Sequence, residues 1–243
     1  MSKRLKFFLS HLSISFLIAL LVIGLVFFVW YPAPLAKAVG VINIFLMMLA
    51  IDVIVGPILG LLIYKEGKKI LKFDLTVIIT IQIIALCYGI YSIEQGRPAW
   101  LAYNIDRFDL VRKNEIFEDN ISKALPQFQN ISWLKPQYVA VQLAKDKNQR
   151  NDDMFAEVLG GISLAQRPER YVDFVQAKEQ IQQRAKKIEL LKKYNDKIDV
   201  EKILAKYPQT TAFLPMKASA VDMTVLIDQK ANVVEIVDLR PWH

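Results

Sequence analysis

Gly96-Arg97-Pro98-Ala99-Trp100-Leu101-Ala102-Tyr103-Asn104-Ile105-Asp106-Arg107-Phe108 divides a chain of 243 residues into a first part that reads as membrane and a second that reads as a water-soluble domain. No residue in it announces chemistry, yet any coupling between the halves passes through it. The chain is 53% hydrophobic and 23% charged, a combination that requires the two classes to be segregated along the sequence. Residues 1–93 hold eight Lys/Arg against three acids, and the remainder 23 against 21, so +5 of the formal charge of +7 lies in the apolar part. There it flanks hydrophobic runs and sets membrane orientation. Nucleic acid, the partner that a pI near 9.3 would otherwise raise, is not expected.

Three apolar runs lie on the amino-terminal side of this stretch. Leu12–Trp30 and Leu75–Ile93 are 19 residues each, and Ala38–Tyr64 is 27 with a single charge, Asp52. Each is long enough to cross a hydrocarbon core of about 30 Å as a helix. Trp30 and Tyr31 supply an aromatic interface marker. The competing reading of the first run is a signal peptide cleaved near Ala36-Lys37-Ala38. The run exceeds the usual apolar core of about 7 to 15 residues, and a second run follows almost at once. Lys3, Arg4 and Lys6 precede the first span and Lys65, Lys68, Lys69 and Lys72 join the second to the third, whereas Lys37 alone lies between the first two. By the positive-inside bias the amino terminus is cytoplasmic. The division is thus a three-span transmembrane domain over 1–95 and an exported domain over 96–243, which in a bacterium means the inner membrane and the periplasm.

The exported part is of single-domain size and contains no cysteine, the one cysteine being Cys87 in the third span. The sequons at Asn120 and Asn130 would matter only in a eukaryotic secretory pathway. Trp100–Val111 has strand composition, and a short helix is expected over Asn114–Leu125 before Pro126. Gln137–Leu143 alternates as a strand; Asn151, Asp152 or Asp153 would cap a helix stopped by Gly160-Gly161. The longest helical signal runs from Phe174 to Tyr194, with Phe174, Ala177, Ile181, Ala185, Ile188 and Leu191 as one stripe. Asp199 would cap a further segment before Pro208, and Met223–Ile227 with Val233–Val237 reads as a hairpin. The fold class is therefore an α+β periplasmic domain on a bundle of three transmembrane helices.

The inventory for catalysis is poor. The two histidines, His11 and His243, stand near opposite ends of the sequence, which argues against a Ser-His-Asp triad or a His-based zinc site. There is no Walker A or dinucleotide glycine pattern, and Gly160-Gly161 reads as a helix stop. No enzyme activity, cofactor, metal or small-molecule substrate is expected. The runner-up classes are a membrane-tethered sensor or scaffold and, behind it, an envelope enzyme that uses acids of the exported domain.

Asp52 is the most informative residue, because a charge near the middle of a span costs roughly 2.5 to 3.5 kcal/mol and usually faces a partner rather than lipid. Gly56, Pro57 and Gly60 follow it: Pro57 lacks an amide and kinks the helix, and the Gly-x-x-x-Gly spacing admits another helix closely. Two accounts are open. In one, this face packs the chain's own helices, with Asp52 protonated or bonded to Gln82 or, less favourably placed, Asn43. In the other it receives a helix from another protein. Arg97 and Pro98 end the third span, and Asp106, Arg107 and Phe108 begin the exported domain, either as structure, with an Asp106–Arg107 ion pair, or as part of a surface beside the bilayer.

In their order and spacing these features resemble the type IV pilin accessory proteins of the TfpX/TfpZ type. The resemblance covers the basic start, Tyr31-Pro32-Ala33-Pro34, Asp52-Val53-Ile54-Val55-Gly56-Pro57, the Lys-rich loop, Arg97-Pro98, Asp106-Arg107-Phe108, Gly160-Gly161 and Arg167-Pro168. It implies an inner-membrane chaperone that binds its cognate major type IV pilin, by transmembrane helix and globular head, before pilus assembly.

Overall fold

The computed structural model describes residues 1–144 and 146–242, without the side chain of Asp152. Three long apolar helices come first: α1 (Lys3–Leu25), continued by a π-helical turn over Val26–Trp30, α3 (Val41–Ile63) and α4 (Leu71–Gln95), with a single turn α2 (Leu35–Ala38) between the first two. All three are long and apolar enough to cross a membrane. The first and third extend beyond their apolar runs because helix continues into flanking polar residues, while α3 lies within its run; α1 starts at Lys3, capped by the Ser2 hydroxyl, which accepts from the Leu5 amide. Arg4 donates to the carbonyl of Leu61 at 2.7 Å, so the basic start and the lysine-rich loop share one end of the bundle.

At the other end the backbone passes from α4 into strand β1 (Pro98–Asn104) with only Gly96 and Arg97 between. Strands β2 (Arg107–Arg112), β3 (Gln137–Val141), β4 (Tyr171–Asp173), β5 (Lys186–Lys187), β6 (Ala212–Lys217), β7 (Met223–Ile227) and β8 (Val233–Val237) complete one mixed sheet of order β4-β3-β1-β2-β6-β7-β8, with β5 beside β6. Helices α5 (Lys147–Gly160), α6 (Lys178–Arg184) and α7 (Lys197–Leu204) fill the connections, so the molecule is a transmembrane-type bundle carrying an α+β domain.

Several local expectations change. The strand-like stretch from Trp100 is a hairpin, folded back at Ile105-Asp106 with Ile105 in the left-handed region (φ 61°). Asn114–Leu125 is not a helix but isolated 3-10 turns, because Phe117 leaves the local ladder to donate to the carbonyl of Gln166 at 2.8 Å. The caps move as well: Asp146 caps α5 and Asp196 caps α7, while Gly161 ends α5 at φ 67° as expected of the Gly-Gly pair. The long helix over Phe174–Tyr194 is broken. Its stripe residues Ala177, Ile181 and Leu191 are buried, but Ala185 leaves the helix so that Lys186-Lys187 can pair with Ala212-Phe213 of β6. Strand β6 itself was hidden by Pro215, which lies where the β5/β2 edge of the strand goes unpaired between Phe213 and Met216.

Two cores sandwich the sheet. On one face Leu101, Tyr103, Phe108, Leu214, Met223 and Val225 are buried, and on the other Trp100 stands edge-on to Phe128 and Tyr171. A third cluster seals the bundle: Val22, Val26, Trp30, Tyr31, Phe45, Leu49 and Ile93. Trp30 and Tyr31, expected as lipid-interface markers, are only 2% and 1% exposed and lie inside the protein.

Candidate partner-binding sites

The nine candidate residues fall into three separate places. Asp52, Gly56, Pro57 and Gly60 lie on α3; Arg97 and Pro98 lie at the joint; Asp106, Arg107 and Phe108 lie at the far end of the first hairpin. Seven residues of β1 at about 3.3 Å each separate the joint from that hairpin tip by roughly 20 Å of strand.

At the first place α3 packs against both α1 and α4. A Cβ on Gly56 would overlap the carboxamide of Gln82 from α4, and one on Gly60 would come within 2.9 Å of Phe7 from α1. Gly56, Pro57 and Gly60 are all buried, and the close approach that the glycine spacing admits is taken by the chain's own helices. Gln82 ties the three together. Its Nε2 donates to the Asp52 carbonyl (2.8 Å) and to Ser15 Oγ (3.1 Å), and its Oε1 lies 2.9 Å from His11 Nε2. Gln82 therefore bonds the backbone of Asp52 rather than its carboxyl group, whose Oδ2 is buried without a hydrogen-bond partner among the described residues. Asn43 is exposed. The Asp52 side chain faces an apolar cleft of about 270 Å³ walled by α1 and α4, with Ser10, His11, Ser15 and Gln82 as the other polar groups. Sequence reasoning left His11 in the basic tail; its spacing of four residues from Ser15 is the signal that puts both on one helix face.

At the joint Glu94 accepts from Lys113 Nζ at 2.9 and 2.7 Å and from Arg97 Nε at 3.1 Å. Arg97 is 2% exposed. Tyr31 donates its hydroxyl to the carbonyl of Ile93 at 2.6 Å, tying the end of the first span to the end of the third; burial holds its phenol well above the ordinary range against the Arg112 and Arg97 charges, which lower it, while Glu94 adds to the rise. A second connection joins the halves. Leu35 and Ala38 enter the core beneath the sheet, the Ala38 carbonyl accepts from the amides of Ala220 and Val221 at 3.0 Å each, and Lys37 meets Asp238 at 2.5 Å. Gly40, at φ 75°, lets the chain turn from this plug into α3, and a Cβ there would lie 3.0 Å from that of Ala220.

At the hairpin, Arg107 donates to Asp109 Oδ1 at 2.9 Å, not to the exposed Asp106, and Asp109 Oδ2 accepts from Asn104 at 3.1 Å. Phe108 is fully buried among Tyr103, Tyr138 and Phe174. Burial, with the Asp106 charge adding to it, pushes the Tyr103 phenol up to about 12. Among the described residues no group of three or more metal-ligating side chains occurs. The arrangement offers surfaces and a cleft.

Fold and site together define a bundle of three helices, each long and apolar enough to cross a membrane, carrying an α+β domain. The family model of the fimbrial assembly protein FimB matches residues 1–40. Two fimbrial assembly proteins of Dichelobacter nodosus, of serogroups E1 and I, are each 30% identical to the chain over 242 residues, covering 96% of it and 94% of the relative. A third, of serogroups C1 and C2, is 34% identical over 116 residues, 47% of this chain and 88% of its own. The chain belongs to the fimbrial assembly protein family. No solved structure matches it.

Proposed function

We propose that this protein is a non-catalytic chaperone of type IV fimbria assembly, which binds its cognate major pilin in the bacterial inner membrane and stabilises it until it is assembled. Family membership supports a role in fimbrial biogenesis; the pilin partner is the finer reading. The observation that carries it is the cleft between α1 and α4, apolar along its walls and floored by a carboxyl oxygen with no hydrogen-bond partner among the described residues. Such a groove suits one transmembrane helix that brings a hydrogen-bond donor to the level of Asp52. Gly56, Pro57 and Gly60 then act from behind, holding α3 against its neighbours. Residues 1–95 form the membrane domain, with the amino terminus cytoplasmic, and 96–243 form the periplasmic domain, which meets the pilin head. The shared end of Arg4 and Leu61 supports this orientation, since it gathers the basic residues opposite the sheet. Arg97-Pro98 and the plug of Leu35 and Ala38 keep groove and head-binding surface in register, with Asp106, Arg107 and Phe108 shaping the far end of that surface.

The test is deletion of the gene, complemented by wild type or by Asp52→Leu, with pilin abundance and half-life measured. Pilin should be lost on deletion and restored only by wild type, while the Asp52→Leu protein itself accumulates. Unchanged pilin levels after deletion contradict the reading.

A further inference from the structure

The depth marker expected at Trp30 and Tyr31 is buried, and another side chain takes the exposed position at that level. Trp133, from the segment before β3, packs edge-on against Trp30 with ring centroids 5.8 Å apart. Trp30 closes the first span, and Phe28, two residues or about 3 Å earlier along the helix, is 77% exposed on the lipid-facing side of the bundle. Trp133 and Leu134 are 59% and 57% exposed beside it. An indole and a leucine displayed together on a water-facing loop would be an apolar liability; at the end of a span they continue the lipid-facing surface.

The segment is held, not loose. Ile131 packs into the core around Trp100, Ser132 Oγ accepts from the Leu134 amide at 3.2 Å, and Pro136 borders the same pocket as the Pro32–Leu35 loop. Lys135 follows, exposed and in no ion pair among the described residues, with a stem long enough to run along the interface and place its ammonium among headgroups. We propose that Trp133 and Leu134 form an interfacial anchor by which the sheet domain rests on the outer face of the bilayer, with Lys135 engaging lipid phosphate. The anchor gives the domain a third attachment, besides Arg97-Pro98 and the Leu35–Ala38 plug, and fixes its tilt over the membrane. This rests on the chain crossing a bilayer, not on which protein it assembles with.

The full chain, with Cys87→Ser, is placed in nanodiscs of phosphatidylethanolamine and phosphatidylglycerol, with nitroxide labels introduced by Trp133→Cys, Leu134→Cys, Phe28→Cys or Ile198→Cys. Relaxation by oxygen, which concentrates in lipid, is compared with relaxation by a water-soluble nickel chelate. Ile198 is 74% exposed on α7 and serves as the water-side reference. The oxygen-to-nickel ratio at 133 and 134 should exceed that at 198 several-fold and approach that at 28. A ratio equal to that at 198, or exclusion of both reagents by a covering protein, overturns the anchor. A low ratio at 28 would instead remove the membrane reading itself. Because labelling replaces the indole, the unlabelled protein supplies the second readout: bromine-substituted acyl chains should quench emission that Trp133→Phe removes.

Discussion

The membrane bundle and the sheet domain are held together by opposite means. In the bundle three helices meet through small residues and one amide: Gly56 under Gln82, Gly60 against Phe7, and Gln82 reaching Asp52, Ser15 and His11. In the sheet domain large interlocking side chains, Trp100, Tyr103, Phe108 and Tyr171, are nearly or fully buried on both faces of one sheet. Lipid is as apolar as the helices, so the bundle gains little from burying more surface and leaves a cleft open; water drives the sheet domain to close its core. A site for a partner helix is therefore expected in the first region and a rigid platform in the second.

The largest effect should come from the platform. Trp100→Ala removes a buried indole edge-on to Phe128 and Tyr171 and should cost about 3 to 5 kcal/mol, read as loss of the cooperative unfolding transition of the sheet domain or as proteolysis beyond residue 96. If the bundle alone organised the molecule, that variant would retain its protease resistance.

The joint ranks next. Glu94→Ala leaves Arg97 buried without its carboxylate and should cost about 2 to 3 kcal/mol in thermal unfolding of the detergent-solubilised chain. A null result would mean that the Leu35–Ala38 plug holds the halves together by itself.

Gly56→Ala is the corresponding probe of the bundle. Its Cβ must displace the Gln82 amide, breaking bonds that in a membrane average about 0.6 kcal/mol each, so global stability should fall by no more than about 1 to 2 kcal/mol. Pilin half-life should nevertheless shorten, since α4 moves off α1 at the level of Asp52. Unchanged pilin half-life would separate the glycine face from the cleft.

The smallest effect concerns the last hairpin. The Asp228 carboxylate accepts from Asn232 and from the Lys230 amide, which holds it below its ordinary range. A depressed acid stabilises the fold above its unfolded value and loses that contribution as pH falls through the folded one, so acidification below about 4 should lower the unfolding midpoint less in Asp228→Asn than in wild type. The bundle has no counterpart to this turn, and a pH scan of wild type against the variant reads the sheet domain alone.

How much of this was legible in the sequence follows the same division. The three spans and the Met223–Val237 hairpin are written in runs of composition and alternation that local physics decides. The Phe174–Tyr194 stripe correctly marked Ala177, Ile181 and Leu191 as inward, but a strand pairing 25 residues on, between Lys186-Lys187 and Ala212-Phe213, decided the backbone. Pro215 concealed a central strand for a like reason: the gap that tolerates it exists only once β5 and β2 share one edge of β6. Asp52 stands out in the sequence as an intramembrane charge with Gln82 as a partner, whereas His11 does not, and the bond goes to the Asp52 carbonyl rather than its carboxyl group, because what joins these residues is the crossing of three helices. Trp133 carried no signal until Trp30 was found buried beside it.

The cleft is tested most directly by photo-crosslinking in living cells from Ile14 and Ile83, which line it, and from Ile84, one position around the α4 helix, which does not. The account predicts pilin adducts from Ile14 and Ile83 that are lost with Asp52→Leu, and none from Ile84. Adducts confined to the sheet domain, with none from either wall of the cleft, would contradict it.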